Sequence, residues 1–482
     1  MQPWFACHSG RHDRAGVSGG NVSRNRRGGR ILINTPASTP AFRKVAEAAA
    51  LGVLAKIGPG KRFLIRAIEA AIRPLVRLRD KQRDAGNCRS SPVQRILVLE
   101  CWNLGDLVME VPFLRNLRRH YPDAHIALLT SPKCAELISD QGIVDELIVV
   151  RVPWAQHYSR WRKYNPFSPL WIEFLHTLRF LRSQKFQLAF SARADIRDNF
   201  IMWFAAVERR VGYAFGGGGL FLTDVAVPDL QNPHFSNRWL QLLVALGKCP
   251  DVLEPQLRVT ANQRESAEAS MTECGIQNGD FVIAIHPGAR SAIRQWGEEN
   301  FTLLAERLRA EFPVKVVWFR DPGQIEPNQN DPQGGTFSLP LRAFMGALSR
   351  CQLLICNDSG PMHIATALGV PVVAIFGPTE PAWFGPLGQN NHIVIQPGFW
   401  CRPCFDYCVF DQPYCLRTIT VESVFFAAVE AISTLFTRAS ERYSSEHLAL
   451  KTVVAEQKCP GDSKLINVRE SRSNAGKNYS GS

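Results

Sequence analysis

Asp358, Ser359, Gly360 and His363 stand between two apolar runs, Leu353 to Ile355 and Val372 to Phe376, and open a short helical stretch, Met362 to Leu368. The second run closes on Gly377-Pro378-Thr379. Strand, tight loop, helix, tight loop and strand make a βαβ unit, whose parallel strands are buried on both faces. Ligands in such sheets bind outside the carboxyl ends of the strands, where these four residues fall. The first helical turn offers free N–H groups and a positive dipole end, which suits a phosphate. A purely structural reading is equally open at this point. Asp358 or Ser359 could be an N-cap, Gly360 a turn residue, Pro361 a helix starter and His363 a structural histidine.

Three other stretches carry chemistry. Arg95 to Glu100 is a buried-type strand followed by Asn103-Leu-Gly105-Asp106, which sets a carboxylate at the mouth of any ligand crevice. That loop lacks G-x-G-x-x-G, so a dinucleotide site is poorly supported. Phe281 to His286 is a strand followed by Pro287-Gly288 and, further on, Arg294-Gln-Trp296. Near the end, Cys401, Cys404, Cys408 and Cys415 are spaced in a way that admits a metal site. The second spacing is irregular and no histidine pair accompanies it, so a structural thiol cluster or a redox-labile pair is the alternative. Gly216 to Gly219 is not a phosphate loop, because no Lys-Ser/Thr follows.

The elements around these residues alternate. Helical and strand patterns take turns from Gln94 onward, the signature of an open parallel α/β sheet. The pattern divides into 93–255 and 256–437, two Rossmann-like, doubly wound domains facing a central cleft, with Cys249 to Glu265 as the crossing. Residues 210–223 read as a hairpin with a glycine turn. Residues 154–183, with Trp154, Tyr158, Trp161, Arg162, Tyr164 and Trp171, form either an aromatic-and-basic acceptor surface or a packed helix.

The 482 residues suffice for two or three domains. Hydrophobic content of 45% and charged content of 21% are ordinary for a globular protein. There is no apolar stretch of spanning length and no secretory signal pattern. Thirteen cysteines, mostly scattered singly, suggest reduced thiols in a cytoplasmic protein. Residues 1–92 hold 18 Lys/Arg against 5 Asp/Glu, while the remainder balances at 38 against 38. The body therefore has no basic skew toward nucleic acid.

Residues 1–40 read either as disordered or as a mistaken upstream start, and 41–85 as helical with an interruption at Gly58-Pro59-Gly60. In the latter, Arg62, Arg66, Arg73 and Arg77 repeat on one side and Leu64, Ile68, Ile72 and Leu75 on another. Such a helix either lies on an anionic membrane surface or packs on the body with a solvated charged face. Pro74 argues against a continuous helix. Residues 438–482 read as a polar tail.

Taken together, Arg95-Ile-Leu-Val-Leu, Asn103-Leu-Gly105-Asp106, His286-Pro-Gly288-Ala with Trp296, Asn357-Asp358-Ser359-Gly360-Pro-Met-His363 and Phe376-Gly377-Pro378-Thr379 resemble the ADP-heptose:lipopolysaccharide heptosyltransferases, glycosyltransferase family 9. The Cys401/Cys404 segment fits the same order. The resemblance runs over roughly residues 94–435; the basic N-terminal extension lies outside it.

The resemblance implies a GT-B fold and an inverting, metal-independent transfer of heptose from ADP-heptose to a lipid-linked sugar of lipopolysaccharide core type. Asp106 falls on the catalytic base. Ser359 and Gly360 fall on the diphosphate site, Asp358 and His363 near the donor sugar, and Gly288 and Thr379 in donor-side motifs. Arg294 stands where family members often carry a phosphate-contacting lysine, which keeps a positive charge but changes its geometry to a fork. No cofactor is required. The implied location is cytoplasmic, peripheral at the inner membrane. Two alternatives stay open: a GT-B transferase or epimerase using another nucleotide sugar, and a non-catalytic membrane-associated protein that binds nucleotide sugars.

Overall fold

The computed structural model describes residues 59–84, 92–154, 165, 167–321, 335–389, 391–395, 398–405 and 408–437. The readings for 1–58 and 438–482 lie outside those residues, as do Tyr158, Trp161, Arg162 and Tyr164. Chain order begins with helix α1, Pro59–Asp84, which continues through Pro74.

Two sheets of six strands, every pairing parallel, form the body. The first runs β3-β2-β1-β4-β5-β6, from β1 (Arg95–Glu100), β2 (His125–Thr130), β3 (Glu146–Val149), β4 (Leu188–Ser191), β5 (Arg209–Gly212) and β6 (Asp224–Val225). The second runs β12-β11-β10-β7-β8-β9, from β7 (Phe281–His286), β8 (Val314–Phe319), β9 (Thr336–Phe337), β10 (Leu353–Asn357), β11 (Val372–Phe376) and β12 (His392–Ile395). In each, the order doubles back at the first strand, which creates the switch point where α/β sheets bind ligands. The runs Leu97–Leu99 and Leu353–Cys356 are apolar without alternation because helices cover both faces, and all of these side chains are buried. This is the expected α/β, GT-B architecture.

Two local expectations are corrected. Residues 210–223 do not form a hairpin, because β5 pairs with β6 in parallel, Val211 opposite Asp224. Gly217 and Gly218 take positive φ, and a short 3-10 turn at Gly219–Phe221 brings the chain back to the start of a parallel strand. The stretch read as a crossing holds the start of a helix, Ala261–Glu273, closed by a Thr260/Gln263 capping box. Its sequence is polar almost all round, so no apolar stripe announces it.

The aromatic stretch resolves partly as packing. Trp154, Trp171 and Phe174 contact one another edge-on or tilted, with Phe174 buried. Helix α1 packs on the first sheet's lobe, as one of the two readings held. Its Glu69 accepts a hydrogen bond from Gly218 N, and its Asp80 pairs with buried Arg210 at 2.9 Å.

Helix α2 (Leu104–His120) follows β1, α3 (Ile196–Phe204) follows β4, and α4 (Phe235–Val244) leads toward the second lobe. Helix α5 (Gly360–Ala367) lies between β10 and β11. One apolar core runs from α2 and α4 into α5, joining Val108, Phe113 and Trp239 with Met362 and Ile364. After β11 the chain turns at Gly377, where an added Cβ would sit 2.4 Å from Leu416 Cγ. Both neighbours are buried, so Gly377→Ala is expected to lower the unfolding free energy in urea by about 1–3 kcal/mol through overpacking. An unchanged midpoint would mean that Leu416 moves aside at no cost.

Candidate active site

Helix α5 begins where Ser359, its N-cap, is fully extended and makes no side-chain cap. The Ser359 hydroxyl is buried and finds no hydrogen-bond partner among the described residues. A serine placed only as a cap would bond an N–H of the first turn, so that reading loses its physical basis. Gly360 opens the helix, and a Cβ there would meet Leu104 Cβ at 3.6 Å and Gly105 N at 3.8 Å. The helix end therefore faces the Gly-Asp loop of the other lobe.

His363 closes that contact. A Cβ on Gly105 would lie 2.8 Å from the His363 ring, so only a glycine lets the two lobes approach this far. Burial, with His234 nearby, holds the His363 imidazole down at about 4, against a smaller opposing pull from Asp106. It is therefore neutral near neutral pH and brings hydrogen-bonding capacity but no charge.

Asp358, at the carboxyl end of β10, is buried; its Oδ2 accepts from Thr379 Oγ1 at 2.5 Å and pairs with Arg294 at 3.4 Å. Asn357, the last residue of β10, fixes the Arg294 loop, accepting from Trp296 N at 3.0 Å and donating to Pro287 O at 2.7 Å. Buried Trp296 donates its ring N–H to Ile419 O at 2.8 Å. Arg294, Asp358 and Thr379 thus form one group beside Ser359 and Gly360. Gly288 is placed differently: a Cβ there would meet the His286 ring at 2.9 Å and Asp321 at 3.0 Å.

On the opposite lobe, Asp106 lies in the first turn of α2, where Asn103 donates to it at 2.9 Å and Arg193 at 2.6 Å. Arg193 also stands 3.6 Å from Glu100 and lies over the Trp102 ring at 4.5 Å. Burial pushes Glu100 up to about 8 and Asp198 up to about 7, in each case against the pull of Arg193. Glu110, one turn along α2 from Asp106, is wholly buried, and neither carboxylate oxygen finds a partner among the described residues. Burial likewise lifts it well above the usual carboxylate range. Arg193 thus acts on several acids behind Asp106, with Arg197 also acting on Asp198.

Residues 175–414 match the model of glycosyltransferase family 9 (heptosyltransferase). The chain carries a glycosyltransferase family 9 domain. Among curated relatives, lipopolysaccharide heptosyltransferase 2 of Escherichia coli K12 is 24% identical over 323 residues, 62% of this chain and 87% of its own. A family 9 glycosyltransferase from Veillonella parvula, known from its crystal structure, superposes with TM-score 0.60 at 24% identity, covering 73% of this chain and 100% of its own. E. coli heptosyltransferase WaaC, solved with ADP-2-deoxy-2-fluoro heptose, gives TM-score 0.55 at 16% identity, covering 70% and 99%.

This family 9 enzyme holds several site residues that sequence reasoning passed over. Arg193 is a lone arginine past the end of β4, 87 positions from the Asp106 it holds, and nothing local marks it. Glu100 was the better clue, being a charged last residue on a buried strand. His234 caps α4 by accepting from Ser236 N, and its other ring nitrogen reaches Gly385 O of the second lobe at 3.0 Å. Arg402 donates to Thr379 O at 3.3 Å, so the cysteine segment lies over the Gly-Pro-Thr turn. Cys404 and Cys415 are buried, Cys401 and Cys408 half-buried, and all four are free thiols. Among the described residues no group of three or more His, Cys, Asp or Glu side chains is gathered to hold a metal.

Proposed function

We propose that the chain transfers a heptose from ADP-heptose to a lipid-linked acceptor of lipopolysaccharide-core type, with inversion at the anomeric carbon. The observation that carries this is the contact of the Asp106 loop with the Ser359–His363 helix end across the two lobes, through Gly105. The supporting context is the family assignment and the relatives named above. In this reading residues 93–255 form the acceptor side and 256–437 the nucleotide-sugar side, and the enzyme works at the cytoplasmic face.

An acceptor hydroxyl is a poor nucleophile and needs a carboxylate within hydrogen-bond reach. Asp106 takes its proton as the oxygen attacks the anomeric carbon. The bond from that carbon to the β-phosphate oxygen breaks, and ADP leaves with the electron pair. Free N–H groups at the start of α5 and the Ser359 hydroxyl receive the diphosphate, with the helix dipole behind them. Because His363 is neutral, Arg294 supplies the cation on this side, and Asp358 and Thr379 hold the Arg294 fork in place. These groups offset the developing charge without a metal or other cofactor.

A thermal-shift panel of ADP-heptose, ADP and UDP-sugars tests the donor. A ligand at a hundred times its dissociation constant stabilises by about 2.7 kcal/mol. The expected result is a clear shift with ADP and ADP-heptose. A response confined to UDP-sugars, or none at all, would overturn the donor assignment.

A further inference from the structure

Helix α1 shows three faces. Val76 is buried against the lobe, and the two acids between residues 63 and 80 both turn inward, Glu69 to Gly218 and Asp80 to Arg210. Arg66, Arg73 and Arg77 are exposed along one outer edge. The next arc is apolar and open to solvent, with Phe63 77% exposed, Leu75 66%, Leu78 56% and Ile68 47%. Nothing anionic remains on the outward surface of this stretch. Soluble surfaces rarely group large apolar side chains in this way without a partner.

We infer that this face of α1 docks the enzyme onto an anionic lipid bilayer. A helix lying in the membrane interface buries an apolar arc among the acyl chains while arginines at its edge meet lipid phosphates. A cavity of about 280 Å³ lined by Arg73, Arg77, Val76 and Leu220 adds a second observation. It joins two guanidinium-bearing side chains to apolar walls, the chemistry of a lipid phosphate with its glycerol. The charge distribution agrees, since residues 1–92 carry the entire positive excess of the chain. A second copy fits worse, because it would bring like-charged arginine rows together.

The surface also has a consequence for reach. Glu69 holds Gly218, where a Cβ would sit 2.8 Å from Ile196 Cα, and Ile196 opens α3 just beyond Arg193. The bilayer face thus belongs to the lobe that carries Asp106. The inference does not depend on the donor sugar.

Co-sedimentation of the full chain with vesicles tests it, comparing phosphatidylcholine alone with phosphatidylcholine mixed with phosphatidylglycerol. Binding is expected to the mixed vesicles only and to fall with salt. The R66Q/R73Q/R77Q variant should weaken it by roughly fivefold per arginine. The F63S/L75S/L78S variant should abolish it, with the ADP thermal shift kept as evidence of an intact fold. If the serine variant does not fold, the glutamine variant still decides. Equal binding to both vesicle types, binding unaffected by the glutamine set, or no binding would overturn the proposal. So would a concentration-dependent dimer that the apolar substitutions dissolve. Because the donor shift is read separately, loss of the proposed function and loss of lipid binding remain distinguishable.

Discussion

Asp106→Asn is expected to lose transfer by about 10²–10⁴-fold, the usual contribution of a positioned general base. The ADP thermal shift should be retained, because the proposed diphosphate groups lie on the other lobe. Asparagine keeps the shape and can still bond Asn103, so the loss isolates proton transfer from packing. The measurement is initial rate with ADP-heptose and acceptor beside the thermal shift of the same preparation. Normal turnover would show that Asp106 is not the base.

Arg193→Met is expected to cost about 3–5 kcal/mol of stability, because it strips the shared cation from a buried acidic cluster. The pH dependence gives the mechanism away. Glu100 and Asp198 are raised to about 8 and about 7 in the folded protein, well above their ordinary values. A carboxyl raised on folding contributes stability that is complete below its ordinary value and is lost as pH rises through the folded one. Removing Arg193 raises both further, so the variant's deficit should be deeper at about pH 8 than at about pH 5. Urea midpoints at the two pH values check this. An equal deficit at both would assign the role of Arg193 to its packing over Trp102 rather than to its charge.

Much of this architecture was legible because parallel strands buried on both faces write themselves as unbroken apolar runs. Arg95–Glu100, Phe281–His286 and Val372–Phe376 are legible at their observed bounds for that reason. The helix at Ala261–Glu273 left no such mark, having little apolar surface to bury. The Gly216–Gly219 run misled, because glycines permit a tight turn without dictating the direction of the strand beyond it. At the site, the groups local in sequence were readable: Asp358 to His363, and Gly105 with Asp106. What joins them was not. Arg193 to Asp106, Asn357 to Trp296 and His234 to Gly385 are contacts between distant segments; sheet order brings the first two together, and packing of one lobe on the other makes the third.

The glycine at 105 bears on turnover. The His363 ring lies directly on it, within a core that runs without a break from α2 into α5. In the proposed reaction a sugar passing between these residues parts them, and what yields is a packed interface rather than a surface loop. Motions of that size run on microsecond-to-millisecond timescales. If the proposed transfer holds, the expected limit on turnover is how often the two lobes separate rather than the chemical step.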